Sequence, residues 1–472
     1  MRFEVNEIEQ RLFDVIGESG KALGYPVYVI GGHVRDKFLE LPSKDIDIVC
    51  QGSGIRLAEE VANRLTPKPH LAVYKNFGTA LIKHDDFDIE FVGARKESYR
   101  SDSRKPVVED GTLRDDQLRR DFTINALAIS LNEQDYGTLI DPFDGVLHLE
   151  QKLIKTPLEP GKTFSDDPLR MLRGIRFVAQ LGFYIEAKTL EAISEYRERL
   201  SIVSKERITD ELNRMLMCPQ PSQAFKLLLK TGLIHLILPE LVKLQGVEYV
   251  DGKGHKDNFF HTLEVVDNVA ATSNNLWLRW AALLHDIAKP ETKRFEEGHG
   301  WTFHGHDAVG AAMVPRIFRN LKLPTDTKMQ YVQELVRLHL RPISLTKEEI
   351  TDSAIRRLLY DAGDNLEDLL ILCSADITSK NPAKRKKYRE NYELVKKRLI
   401  EVEEKDHLRN WQPPITGELI MKTFGIPPSR LVGDIKTAIR EAILDGKLAN
   451  EYEAAYEYML ELGNVHGLSV VA

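Results

Sequence analysis

The hydrophobic period of this chain changes between residues 150 and 167, and that change constrains its fold more than any other feature. Before it, short β-branched or aromatic runs recur: "VYVIGG", "DIDIVC", "LAVYKN", "GTALIKH", "FDIEFVG" and "ALAISL". From "DPLRMLRGIRFVAQLGF" onward, apolar residues recur almost entirely at helical spacing. Among the early strands, "VRDKFLEL" and "IRLAEEVANRL" read as helices, and Val5, Ile8, Leu12, Val15 and Ile16 mark a helix over 1–24. The expectation is an α+β fold, with a small mixed β-sheet domain over 1–150 and helices thereafter. At 472 residues the chain exceeds one compact core, so two to four domains are expected. Proline and glycine clusters at 218–221, 252–255, 380–384 and 411–417 mark joints.

The stretch "VIGGHVRDKFLELPSKDIDIVC" (29–50) carries the chemistry. Residues two apart on a strand point to one face, so Asp45 and Asp47 converge. Like charges so placed cost energy unless a cation lies between them, and hard oxygen donors suit Mg²⁺ that also holds phosphate oxygens. Two metals could then activate an attacking hydroxyl and neutralise a departing pyrophosphate. A third carboxylate is expected from "FDIEFV", which offers Asp88 and Glu90 on one face, with Asp88 slightly preferred. Gly31 and Gly32 let backbone N–H groups approach a triphosphate, and Arg35 can reach the same anion. Together these residues predict a nucleotidyl-transfer site.

Composition narrows the alternatives. A net charge of −7 argues against a protein that coats nucleic acid over its whole surface. It leaves room for a local track such as "KRKKYRENYELVKKR" (384–398), with eight Lys/Arg against two Glu. No apolar run is long enough for a membrane span, and the N-terminus does not resemble a signal peptide. Cys50, Cys218 and Cys373 are far apart and odd in number, which predicts reduced thiols in a cytoplasmic protein.

The motifs "GGHVRD…KDIDIV", "RRDFTINALA", "DPFDG", "DPLRMLRGIRFVAQLGF" and "SKERITDELNRML" resemble, in order, those of the class II tRNA nucleotidyltransferase and bacterial poly(A) polymerase family. The resemblance implies a palm-like catalytic head (1–150), a helical neck with a base-selecting helix (151–235), a helical body (236–380) and an RNA-binding tail (381–472). It implies tRNA, CTP and ATP as partners. It also places Asp121 and Asn125 around the ribose, and Arg119 or Arg120 on the triphosphate. Two departures stand out: Asp166-Asp167 where the family usually has Glu-Asp, and Asp144 where it often has Gly.

Base choice without a template has a physical reading here. On the helix expected over "SDDPLRMLRGIRF", Asp167 and Arg170 stand three apart and form a pair that accepts and donates hydrogen bonds. Cytosine and adenine satisfy such a pair, whereas uracil and guanine oppose it with like dipoles. Arg173 and Arg176 then contact phosphate or brace the pair, while Glu206, Arg207 and Glu211 brace the helix. The charged stretch "RKESYRSDSRKPVVEDGTLRDDQ" reads as a mobile loop.

Farther on, His261, His285, Asp286 and Asp376 follow the order that resembles the HD phosphohydrolase superfamily, whose members bind a divalent metal between helices. Imidazole with carboxylate suits a transition metal (Mn, Fe, Ni or Co). His304, His306 and His339 are candidate extra ligands or phosphate contacts. The segment "WQPPITGELIMKTFGIPPSRLVGDIKTAIREAILDG" resembles the tail of CCA-adding enzymes with HD domains.

The function expected is addition or repair of the 3′-terminal CCA of tRNA. Poly(A) synthesis is the runner-up. The rivals are an HD phosphohydrolase with a nucleotide-binding head, and an RNA-binding module with structural carboxylates. Oligomeric state is open.

Overall fold

The computed structural model describes residues 5–100, 103–250, 253–254, 257–345, 351–378, 382–406 and 411–471. It contains two compact units, Met1–Val242 and Lys243–Ala472.

The first unit starts with α1 (Glu7–Leu23), opened by a reciprocal capping box between Asn6 and Glu9 and closed by Gly24 at φ 68°. Next come β1 (Val27–Ile30), α2 (Gly32–Phe38), β2 (Asp45–Cys50), α3 (Gly54–Arg64), β3 (Leu71–Tyr74), β4 (Thr79–His84) and β5 (Phe87–Gly93). The sheet is completed by β8 (Ala128–Ser130) and β9 (Leu139–Ile140), in the order β3-β4-β5-β2-β1-β8-β9. Within this sheet, among the described residues, only the β2–β5 pair is parallel; its register sets Asp45 beside Asp88 and Asp47 beside Glu90. The intervening Ile46, Ile48 and Ile89 point the other way, into a core with Leu12, Phe13, Ile16, Leu57 and Val61 from α1 and α3. Burial of that apolar face holds the opposite, acidic face in register, because a one-residue slip would exchange the two.

The charged stretch expected to be a loop is instead an antiparallel ribbon, β6 (Arg95–Arg100) with β7 (Ser103–Asp110), followed by α4 (Leu113–Leu118). A ribbon bonds its own two backbones together, so it needs no buried face and shows no apolar alternation in sequence. The helix at α4 is capped by Thr112 and Asp115 in a reciprocal box.

Helices α5 (Gly145–Glu150), α6 (Pro160–Asp166), α7 (Leu169–Leu181), α8 (Ala187–Tyr196), α9 (Lys205–Leu216) and α10 (Pro221–Lys230) complete this unit. Asp144, where glycine is common among the resembling proteins, stands just before α5 in the left-handed region at φ 58°. That conformation explains glycine at the position and is tolerated by aspartate.

Among its described residues, the second unit is mainly helical, with two short hairpins that helical periodicity does not predict; one pairs Arg294–Glu296 with Gly300–Thr302. Helices Asn258–Ala270, Leu276–Leu284, His306–Leu321, Thr327–Leu338 and Leu366–Ala375 form its body. The basic run lies on helix Pro382–Asp406, which buries Tyr392, Val395, Leu399 and Val402 along one stripe. Helices Gly417–Phe424, Arg430–Leu444 and Tyr452–Val465 enclose a separate core around Ile420, Ile435, Ile439 and Met459. Among the described residues no helix is long and apolar enough to cross a membrane. All three cysteines are buried and none is in a disulfide.

Candidate functional site

In the first unit, the polar sheet face opens into a cavity of about 760 Å³. The carboxylates come from the sheet: Asp45, Asp47, Asp88 and Glu90. Most of its arginines come from helices opposite, including Arg170, Arg173 and Arg176 of α7 and Arg207 of α9. This separation of charge suits a ligand with both metal-bound and bare anionic oxygens.

The acid pair is electrostatically stressed. Removal from bulk water raises the Asp47 carboxyl above its ordinary range, Arg120 counters this, and Asp45 and Asp116 add to it. Glu90 is raised too, by desolvation and then by Asp47. Asp88, by contrast, has the Lys83 ammonium 3.1 Å away. The register therefore puts Glu90, rather than the slightly preferred Asp88, in the electrostatic company of Asp47. Oxygen donors that repel one another on adjacent strands are what a hard divalent cation requires, so the residues present fit Mg²⁺.

Gly31 is needed for two reasons. Its φ of 86° disfavours side chains, and a Cβ there would lie 2.8 Å from Arg120 Nη1 and 3.0 Å from Asp47 Oδ2. Its N–H donates to the Leu127 carbonyl at 3.1 Å, so that donor is already engaged within the protein. Gly32 remains in the cavity wall.

A buried polar chain crosses the floor. Arg35 Nη1 donates to Asn125 Oδ1 (2.8 Å), Asn125 Nδ2 to Asp121 Oδ1 (3.0 Å), and Arg173 Nε to Asp121 Oδ2 (2.6 Å). The Phe122 N–H also donates to Asp121. Burial opposes ionisation of Asp121, yet Arg173 and the Asn125 amide hold its pKa far below the carboxylate range. Arg35, Arg173 and Arg176 all lie within 6 Å of the Phe177 ring centre, at 5.2, 5.6 and 4.5 Å. Arg176 is fixed by Glu211 at 2.7 Å, as the bracing role expected of Glu211 requires.

Asp116, absent from the sequence reading, anchors the arginine pair. This fully buried carboxylate accepts from Arg119 at 2.6 and 2.9 Å and from Arg120 at 3.2 and 3.3 Å. It thereby leaves Arg120 Nη1 3.8 Å from Asp47. Its position three and four residues before the two arginines is the helical signal that could have found it.

The helix proposed to carry Asp167 and Arg170 is interrupted. Asp167 has extended backbone after α6, and α7 starts at Leu169 because Pro168 has no N–H to continue the earlier helix. Asp167 Oδ1 accepts from the Leu169 N–H, while Oδ2 lies 3.4 Å from Arg207. Arg170 donates to the Thr163 and Arg119 carbonyls. Both residues line the cavity, but through this turn, not through helical spacing. Arg207 also lines it, beyond its expected bracing role, whereas Glu206 is exposed.

The second unit gathers its own cluster. His261 Nε2 is 2.9 Å from Asp376 Oδ1 and 3.6 Å from Asp286 Oδ2; His285 Nε2 is 3.2 Å from Asp286 Oδ2. His306 and His339 approach Asp286 Oδ1 at 3.2 and 3.8 Å. His304 is exposed beside Glu296 and stands outside the cluster, so it is not an extra ligand. The Nδ1–H groups of His285, His306 and His339 donate to the carbonyls of Ala282, Phe303 and Val336. That turns each Nε2 inward. The Nε2 of His285 is buried and makes no hydrogen bond. Burial would lower the pKa of His285, but Asp286 and Asp376 raise it to about 10. The cluster thus demands positive charge, and its donors form two triads sharing Asp286, which fit transition metals. Lys289, another residue sequence reasoning missed, sits 2.6 Å from Asp286.

Residues 27–155 match the family described as the poly A polymerase head domain, 182–244 the probable RNA- and SrmB-binding site of polymerase A, and 258–381 the HD domain. The A-adding tRNA nucleotidyltransferase of Deinococcus radiodurans is 32% identical over 351 residues, covering 72% of this chain and 78% of that protein. The CCA-adding enzyme of Geobacillus sp. is 29% identical over 455 residues, covering 94% and 95%. The crystal structure of the Bacillus stearothermophilus CCA-adding enzyme with CTP is 25% identical and matches at a TM-score of 0.65 over 98% of this chain and 99% of that one. The chain therefore belongs to the tRNA nucleotidyltransferase and poly(A) polymerase family, with an HD domain following its polymerase head and RNA-binding segments.

Proposed function

We propose that this protein is a cytoplasmic CTP/ATP:tRNA nucleotidyltransferase that adds or repairs the 3′-terminal CCA and releases pyrophosphate. The observation that carries the reading is one cavity with sheet carboxylates facing helix arginines. Asp45, Asp47 and Glu90 would hold Mg²⁺, which supplies charge neutralisation on phosphate oxygens and a more acidic attacking hydroxyl. Arg119 and Arg120, oriented by Asp116, grip the triphosphate, with Arg35 at the same end. Asp121 and Asn125 position the ribose. Asp167 accepts from the exocyclic amine of cytosine or adenine, and Arg170 with Arg207 donates to the ring nitrogen. Uracil or guanine would leave about 1–3 kcal/mol unsatisfied per mismatched group.

The division into head 1–150, neck 151–235, HD body 236–380 and tail 381–472 follows the same reading, with the tRNA backbone tracking the basic residues of 384–398. The HD cluster binds transition metals (Mn, Fe, Ni or Co) and serves a metal-dependent phosphohydrolase function. A second reading, addition of the terminal A alone, is favoured by the similarity to an A-adding relative. A poly(A) polymerase remains the third.

One assay tests all of them: tRNAs ending before, within or after CCA, offered each nucleoside triphosphate singly. Addition of two C and then one A supports the proposal. Extension only of tRNA ending in CC selects A addition, and a long A tail selects poly(A) synthesis. Comparable use of UTP or GTP would refute the base-selection argument.

A further inference from the structure

Besides its metal cluster, the second unit has a cavity of about 310 Å³ with an unusual lining. Arg337 comes from the last turn of helix Thr327–Leu338 and Arg341 begins helix Arg341–Ser344. Arg357 and Tyr360 come from helix Asp352–Ala362, and Arg440 from helix Arg430–Leu444. Four guanidiniums thus converge from four helices, and the carboxylates in the lining are Asp361 and Glu441.

Structural pairing explains half of this. Arg357 binds Glu441 and also Asp445 (2.6 Å), and Arg440 donates to Glu441 at 2.9 Å while lying over the Tyr360 ring. Those contacts tie the two helices together. They give no reason for Arg337 and Arg341 to arrive from the other side. Arg341 pairs with Asp361, and the carboxylate nearest Arg337 among the described residues is Glu334 at 3.8 Å, beyond hydrogen-bond reach. Each guanidinium has five N–H groups, so the lining is rich in donors and poor in acceptors. Four guanidiniums face two carboxylates in the lining, and Asp445 and Glu334 just outside it offset further charge, so the surplus is one of N–H donors rather than of net charge. Guanidiniums crowd in this way where planar forks grip phosphate oxygens. The volume, at the small end for a ligand site, admits a single compact group.

We propose that this cavity binds a phosphate monoester, whose oxygens accept from the arginine forks. The ester could be the 5′-terminal phosphate of an RNA or a free nucleoside monophosphate; both present the same dianion. The proposal stands apart from the nucleotidyl-transfer reading, since none of its residues lines the cavity of the first unit.

Equilibrium dialysis of the full-length protein against radiolabelled inorganic phosphate tests it. The wild type should hold one more equivalent than R337Q/R341Q, which retains the Arg357–Glu441 brace and whose substituted side chains are 42% and 43% exposed. R440Q, from the opposite wall, should lose the same equivalent, with both variants melting cooperatively. Titration with 5′-phosphorylated and dephosphorylated tRNA then separates the sources. A tenfold preference for the phosphorylated RNA that R337Q/R341Q abolishes assigns the RNA terminus. Loss of the phosphate equivalent without such a preference assigns the small monoester. Equal phosphate binding by wild type and both variants overturns the proposal.

Discussion

Replacing Asp121 by Asn should destabilise the first unit measurably, and the structure sets the scale. The amide keeps an acceptor for the Phe122 N–H and the Asn125 amide, but loses the charge that Arg173 Nε meets at 2.6 Å. Asp121 is 7% exposed and Arg173 33%, so screening is partial and the charge-assisted bond should be worth about 2–3 kcal/mol. Glu211, 4.0 Å from Arg173, is too distant to replace it. For a unit of this size each kcal/mol moves the melting temperature about 2–4 °C, giving a drop of roughly 4–12 °C. Differential scanning calorimetry at neutral pH measures it. The folded-state pKa of Asp121 lies below its unfolded value. Its contribution is therefore complete above the unfolded pKa, about 3.9, and is lost as pH falls toward the folded pKa. The gap between D121N and wild type should be widest above pH 5 and shrink in acid. It should also persist in 1 M salt, where the screening length is about 3 Å, because the pair is largely shielded from solvent. A variant that melts within 1 °C of wild type, or a gap that salt erases, would refute the buried-pair argument.

Three further outcomes follow from the same geometry. E90Q should reduce nucleotide addition by about a hundredfold or more, as loss of a preorganised charge does, while D88N, relieved of Lys83, should stay within about tenfold; primer extension under single-turnover conditions compares them. Metal analysis after loading with Mn²⁺ should find two equivalents in the HD cluster, fewer in H285A and H339A, with nucleotide addition unchanged in both. Burial lowers the His33 pKa to about 4, so this histidine stays neutral where the unfolded chain takes up a proton. Stability should accordingly fall as pH drops from 6.5 and level off near 4, by about 3 kcal/mol, and urea titrations of H33Q should lack that slope.

The placement of the acids on one strand face followed from their spacing alone, because strand geometry leaves alternate residues no other choice. The helical remainder was equally legible, since an amphipathic stripe is written in every turn. Three features were decided only by the fold. Glu90 rather than Asp88 neighbours Asp47 because β2 and β5 pair in parallel at one register, which no local pattern encodes. Asp167 faces Arg207 because Pro168 breaks the helix and α9 arrives from forty residues away. His306 joins the second cluster while His304 points to solvent, a choice made by the turn into helix His306–Leu321 and the packing of that helix. Local periodicity specifies which side of an element is polar; the partner met on that side depends on long-range packing, and burial energy is settled only once the chain is assembled.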